Sequence, residues 1–195
     1  MKATMFLNRK MSCTLLAVLG FARLACASEP TALELIKEAD RYVGEDVKGK
    51  VIQIRSEKSV GTLVPNIWTV VYYDQDATFK TTEVKLGAGR KLDLSHPLRQ
   101  PFAYIKADNE LSRDKIKIDS DKAIKIATSE PLLSNLKLTA TRLSLEPSDH
   151  GSIWKVRLWA AKLRHPNDDA DIGEVEIAAD DGKVIHSDLH INRVD

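Results

Sequence analysis

Ile67-Trp68-Thr69-Val70-Val71-Tyr72 recurs later in the chain as Ile153-Trp154-Lys155-Val156-Arg157-Leu158. A helix-like segment precedes each copy, with Ala-Leu-Glu-Leu starting at Ala32 and Ala-Ile-Lys-Ile starting at Ala123. Internal repeats have to be recognised first, because they determine the architecture that every other pattern must fit. The repeat predicts two copies of one unit, in which a helix is followed by strands.

The alternation of side chains along a strand predicts whether the repeated Trp residues, Trp68 and Trp154, lie in the core. Successive strand residues point to opposite faces, so each Trp shares its face with the apolar residues two and four places later. Large aromatic side chains at matching positions are most simply core anchors. The predicted core positions are Leu35, Ile36, Trp68, Val70, Val84, Ile124, Trp154, Val156, Leu158 and Ile177.

Start and stop residues bound the remaining elements. The first helix is expected between Pro30 and Gly44, and the second begins at Asp119-Ser120-Asp121, which are good helix N-caps. Gly87-Ala88-Gly89 and Asp181-Gly182 each predict a hairpin turn between two strands.

The first residues resemble a signal peptide. A basic start leads into the mostly apolar stretch Met11–Ala25, which is shorter than the ~20 residues of a membrane span. Ala25-Cys26-Ala27 places small residues where signal peptidase reads them, so we expect cleavage after Ala27 and a periplasmic or secreted protein. A lipoprotein anchored through Cys26 is the alternative, and Arg23 disfavours it because a lipobox normally has Leu there.

The charge and cysteine content of the chain limit the kinds of partner and of stabilisation that we expect. Four of the 29 basic residues and none of the 28 acidic residues lie in 1–27, so the expected mature chain carries a net charge of about −3. This balance gives no electrostatic reason to expect nucleic acid or an anionic membrane surface, and we expect no membrane insertion. Both cysteines, Cys13 and Cys26, belong to the leader, so stability must come from an apolar core.

These patterns divide the chain into four parts. We expect a signal peptide over 1–27, a first and degenerate unit over 28–94, a packed connector over 95–118 and a second unit over 119–195. His96-Pro97 and Gln100-Pro101 disfavour regular structure in the connector, and it contains too few Gly and Ser residues for a flexible linker.

The second unit resembles a PepSY-type domain. The resemblance rests on the acidic-capped helix at 119–127, the Ile-Trp-Lys-Val strand at 153–156, the Val-Glu-Ile strand at 175–177 and the final Asp-Gly-Lys-Val at 181–184. A weaker resemblance covers 30–94, where Gly-Arg-Lys-Leu stands in place of Asp-Gly-Lys-Val.

This resemblance implies a fold and a type of role. The fold is α+β, with two tandem units that each pack a helix on an antiparallel sheet, as in PepSY and cystatin-like domains. The role is extracytoplasmic binding or inhibition of a peptidase. The resemblance supplies no binding residue that can be transferred to this chain.

His186, Asp188 and His190 alternate along one predicted strand and therefore face one side. His and carboxylate are normal zinc ligands. However, the two His residues lie about 13 Å apart along a strand that rises ~3.3 Å per residue. A polar outer face explains them better than a metal, and together with Trp159 they are the predicted partner surface.

Asn167–Asp171 has the oxygen-bearing residues of a calcium loop, but the Gly falls one place late and Ala178 stands where a bidentate Glu is needed. A solvated acidic loop is the preferred interpretation, and cation binding there stays open.

No catalytic motif appears. The expected mature chain has no Cys, no Gly-x-Ser-x-Gly and no His-Glu-x-x-His. We therefore expect a protein that is not an enzyme and needs no cofactor. It would bind an unidentified protein partner, with a peptidase as one candidate; the alternative is a carrier of a small apolar ligand held between helix and sheet.

Overall fold

The computed structural model describes residues 29–97, 110–149 and 151–195. Within these ranges the chain forms two α-helices, α1 (Ala32–Ala39) and α2 (Ser120–Thr128). The strands are β1 (Val51–Ser56), β2 (Ile67–Tyr73), β3 (Thr81–Gly87), β4 (Arg90–Ser95), β5 (Leu138–Ser148), β6 (Gly151–Ala161), β7 (Asp169–Ala178) and β8 (Val184–Leu189). Both predicted helices and both predicted hairpins are confirmed.

All eight strands belong to one antiparallel sheet in the order β4-β3-β2-β1-β5-β6-β7-β8. In each half of the chain a helix is followed by four strands, and each strand pairs with the next one along the chain. The first strands of the two halves lie side by side at the centre of the sheet, and the last strands form its two edges. The halves join where β1 pairs with β5, at Ile54 with Leu145 and at Arg55 with Ser144. We call this junction the seam.

The predicted fold of two tandem units, each a helix packed on an antiparallel sheet, is therefore wrong, because the described strands form one eight-stranded sheet. The first strand of a separate unit would expose a row of unpaired N–H and C=O groups along its outer edge. Pairing β1 with β5 satisfies the two edges together. Residues about 90 positions apart make this pairing, so no local pattern in the sequence predicts it.

One hydrophobic core runs the length of the sheet on the face that carries both helices. Side chains from α1, α2 and six strands contribute to it. All ten predicted core positions are buried there, at 7 % exposure or less, which confirms that prediction. Each Trp also uses its indole N–H: Trp68 donates to the carbonyl of Pro65 at 3.0 Å, and Trp154 donates to that of Ile118 at 2.8 Å.

Two strand boundaries differ from expectation. The sequence predicts that β5 ends before Pro147, but the strand continues through it to Ser148, because Pro147 lies beyond the last residue that pairs with β1. β7 begins at Asp169, inside the predicted polar loop, and pairs with Ala161 of β6.

The end of the connector packs on the core. Leu111 donates its N–H to the carbonyl of Val51 at 2.7 Å, and Leu111 and Ile116 are buried. The expected signal peptide over 1–27 and the connector residues 98–109 lie outside the described residues. Among the residues that are described, no helix is both long and apolar enough to cross a membrane.

Candidate functional site

The sheet face opposite the helices is mainly polar along its middle. Residues directly paired across neighbouring strands share a face. One such row crosses all eight strands and consists of Asp93, Lys85, Thr69, Arg55, Ser144, Lys155, Glu176 and His186. This row contrasts with the apolar face beneath the helices.

A groove follows the seam because β1 departs from β5 after two residue pairs. Beyond Arg55, serine hydroxyls accept hydrogen bonds from β5: Ser56 Oγ accepts from the N–H of Leu143, and Ser59 Oγ from that of Thr141, both at 2.9 Å. Where the backbone pairing between β1 and β5 ends, these serine hydroxyls continue the hydrogen bonding between the two segments. The polar face of the sheet is uncovered at this point.

The groove comprises two cavities that share Lys58, of about 490 and 510 Å³. We call it the seam groove. The first cavity is lined by residues of both halves, and the second lies among the β1–β2 loop, the start of β5 and the β6–β7 turn. The charged residues of the lining are Arg55, Glu57, Lys58, Lys137, Arg142, Lys155, Asp169 and Glu174.

Three of the groove's cations are held by carboxylates. Arg55 contacts both oxygens of Glu83 at 2.8 Å. Lys58 bonds Asp169 at 3.0 Å and also lies 4.8 Å from the centre of the Trp159 ring. Lys155 pairs with Glu146, and this hydrogen bond is the main reason why its pKa is raised. These side chains are committed to intramolecular partners.

Two groove cations have no such partner. Lys137 and Arg142 are exposed, and neither side chain makes an ion pair or hydrogen bond in the part of the chain that the structure describes. A guanidinium stays charged at any physiological pH and suits a carboxylate, which it can bind through two parallel hydrogen bonds. These two side chains are the groups of the groove best placed to contact a ligand.

Glu174 faces the same groove from β7. Burial raises the pKa of its carboxyl, against the opposing effects of Lys155 and Arg157. Among the described residues the carboxyl has no ion pair at contact distance. The seam groove therefore contains two unpaired positive charges and one unpaired, partly desolvated carboxyl group.

The predicted partner surface is split between two places. Trp159 is half-buried on the polar face, and its ring lies beside Lys58, which lines both cavities of the seam groove. His186 and Asp188 lie on the edge strand β8, across from Glu176 and Glu174, and His190 follows that strand with its Nε2 3.3 Å from Asp188. Strand β7 separates Trp159 from these three residues, so the structure does not bring all four together.

Two of the three carboxylates in the acidic segment Asn167–Asp171 bond cations of the protein. Asp169 bonds Lys58, which is the main cause of the lowered pKa of Asp169, and Asp171 bonds Arg157 at 2.8 Å. No group of three or more His, Cys, Asp or Glu residues that could hold a metal is found within the described ranges. This use of the carboxylates argues against the calcium interpretation.

One polar cluster was not predicted from sequence. The Thr82 hydroxyl donates to the carboxylate of Asp74 and lies 2.9 Å from Nδ1 of His96. Burial raises the pKa of Asp74, but this hydrogen bond and the backbone N–H groups of Asp76 and Ala77 outweigh it, so the pKa is lowered. In a hydrolytic triad the imidazole lies between hydroxyl and carboxylate; here the hydroxyl lies between them, so the cluster does not generate a nucleophile.

Comparison of the chain with protein-family models, with curated proteins and with solved structures finds no match.

Proposed function

We propose that this protein is an exported, non-catalytic binding module that holds an extended segment of a protein partner in its seam groove. The observation that carries the proposal is the pair of unpaired cations, Lys137 and Arg142, in a groove whose other cations are held by carboxylates. An extended segment suits the groove because the lining follows the direction of strand β5.

The alternative of a carrier for a small apolar ligand has less support. Such a ligand would need space between the helices and the sheet. That layer is filled by Leu35, Ile36, Trp68 and Trp154, each no more than 2 % exposed. Small-molecule sites are predominantly apolar, whereas the first cavity of the seam groove is lined mainly by charged side chains.

Photo-crosslinking tests the proposal. A photoreactive amino acid at Ser144, inside the groove, is compared with one at Lys125, on the exposed side of α2. The purified proteins are irradiated with exported fraction from the source cells. We expect a discrete cross-linked product from position 144 that position 125 does not give. Equal labelling from both positions, or labelling from position 125 alone, would reject the groove as the binding site.

The resemblance to PepSY-type domains makes a peptidase the first class of partner to test. If the protein cross-linked at position 144 is a peptidase, its hydrolysis of a peptide substrate is measured with and without a saturating amount of this protein. We expect slower hydrolysis. An unchanged rate would reject inhibition and leave binding in place.

A further inference from the structure

We infer that the segment bound in the seam groove is acidic, with two carboxylates four residues apart along an extended chain. This inference rests on the proposed function and adds the chemistry of the partner. Its basis is the placement of Lys137 and Arg142, which lie five positions apart: Lys137 directly precedes β5, and Arg142 lies within it.

Spacing sets the separation of the two carboxylates. A strand rises ~3.3 Å per residue, so the two backbone positions lie roughly 16 Å apart, and the irregular register between Leu138 and Ala140 shortens this somewhat. An extended ligand beside β5 has the same rise. The register shift removes about one residue from the spacing of the two cations, so carboxylates four residues apart on the ligand match them; residues separated by an even number of positions also point to the same side of an extended chain.

The position of these cations distinguishes them from ordinary surface cations. Arg90 and Lys125 are also exposed and have no ion-pair partner in the described part of the chain, but neither lines the seam groove. Lys137 and Arg142 stand in a concave site where Arg55, Lys58 and Lys155 are already neutralised. Among the described residues that line this site, these two are the cations that an entering carboxylate finds unpaired.

The carboxylates of the groove favour a peptide over a nucleic acid. Glu57, Asp169 and Glu174 line the same surface. Glu174, the one of these three without an ion pair at contact distance, would repel the phosphates of a nucleic acid, and two unpaired cations are few for a ligand whose affinity depends on many cation contacts. Two separated carboxylates on a peptide can avoid these three residues and still reach both cations.

Synthetic peptides test the inference. The probe is a fluorescein-labelled nonapeptide of Ser, Thr and Gly with glutamates at its second and sixth positions, and its counterpart has glutamines there. Binding is followed by fluorescence anisotropy at low and at physiological salt. We expect the glutamate peptide to bind about tenfold more tightly, in keeping with charge-assisted hydrogen bonds, and its affinity to fall with added salt.

Matched variants separate the site from general charge. Arg142→Gln and Lys137→Gln should each weaken binding of the glutamate peptide by about tenfold, whereas Arg90→Gln and Lys125→Gln make the same charge change elsewhere and should leave it unaltered. Glu174→Gln should strengthen binding, because it removes a carboxyl that repels the peptide. Circular dichroism and thermal unfolding verify that each variant is folded.

Equal binding of the two peptides, or equal loss in the groove and control variants, would overturn the inference. A position-144 cross-link without binding of the glutamate peptide rejects the acidic segment and retains the proposed function. Absence of the position-144 cross-link rejects the proposed function itself, and the inference with it.

Discussion

At the scale of single residues, Gly173 shows how closely β7 and β8 approach. Its φ is +111°, and a Cβ at this position would lie 1.9 Å from the carbonyl oxygen of Asp188. The register between β6 and β7 shifts next to it, between Leu158 and Trp159. Gly173 therefore meets two constraints, an unusual backbone conformation and a neighbouring backbone that leaves no space for a side chain.

Gly151 provides a control that separates the two constraints. Its φ is +109°, and among the described residues no atom beyond its chain neighbours lies within 4 Å of where a Cβ would be. We expect Gly151→Ala to lower the free energy of unfolding by about 1–3 kcal/mol, which is the usual cost of a strained backbone. Gly173→Ala adds a steric overlap with β8 and should cost more than that. Urea denaturation measures the free energy of unfolding of both variants. Equal losses would show that the contact with Asp188 adds nothing to the cost of substituting Gly173.

At the scale of elements, the two helices begin at the same point. The Asp119 carboxylate accepts from the N–H of Ser120 in its own helix at 2.7 Å and from that of Leu33 in α1 at 3.2 Å. The Ser120 hydroxyl accepts from the N–H of Ala32 at 3.0 Å. One carboxylate thus lies at the positive end of both helix dipoles, where negative charge is stabilising.

Asp119→Ala should therefore lower the free energy of unfolding by more than the loss of an N-cap that serves a single helix. Removing one N-cap side chain costs about 0.5–2 kcal/mol, and here two helices lose an acceptor, so we expect a loss of about 2 kcal/mol or more. Asp119→Asn keeps an oxygen acceptor and should recover most of it. Asp121→Ala, in the exposed first turn of α2, is the control. The free energy of unfolding of each variant is measured by chemical denaturation. An equal loss for Asp121→Ala and Asp119→Ala would contradict the shared cap.

The sequence predicted part of this arrangement. Asp119-Ser120-Asp121 marks the start of α2, because N-cap chemistry is local. The second contact of Asp119, with α1, joins residues 86 positions apart and leaves no sequence pattern. The Trp strands show the same division: alternation predicted that Trp68 and Trp154 are buried, but it did not predict that their strands belong to one sheet.

At the scale of the whole molecule, a polar network joins α1, β2 and the connector. Arg113 donates to both oxygens of Asp40, at 2.9 and 3.1 Å, and the Tyr72 hydroxyl donates to the same carboxylate at 3.0 Å. Burial raises the pKa of Asp40, but Arg113 and Tyr72 outweigh it, so the pKa is lowered. Burial and then Asp40 raise the pKa of Tyr72 well above its usual value.

The lowered pKa of Asp40 predicts a dependence of stability on pH. The folded state binds this proton less strongly than the unfolded state, where the pKa is near 3.8. The contribution of Asp40 is therefore present above that pH and is lost as the pH falls through the lower, folded value. Asp40→Asn should cost about 1.5–3 kcal/mol at pH 7, as expected for hydrogen bonds to a charged group.

The difference in unfolding free energy between Asp40→Asn and the unsubstituted protein should shrink at acid pH. Asp114→Asn, which is exposed next to Arg113, is the control and should show little difference at any pH. Urea denaturation from neutral pH down to about two pH units below the ordinary pKa of an aspartate measures this. A difference that stays constant over that range would contradict the role of the Asp40 charge.

The candidate site was the least predictable part of the molecule. Trp159 was predicted as part of the partner surface, and it lies beside Lys58, which lines both cavities of the seam groove. Lys137 and Arg142 were not, because an isolated basic residue in a strand is indistinguishable from any other solvated cation. Their significance depends on which neighbouring cations are already paired, and those pairs include Arg55 with Glu83 and Lys58 with Asp169, which are far apart in sequence.

The first cavity of the seam groove lies where the two halves of the chain join, so both halves are needed to form it. Residues from Gln53 to Lys58 form one wall of the first cavity, and Arg142–Ser144, Lys155 and Glu174 form the other. A fragment over 119–195 would retain four strands and a helix but only one wall. The repetition of helix and strands therefore provides no redundancy: neither half alone forms both walls of the first cavity.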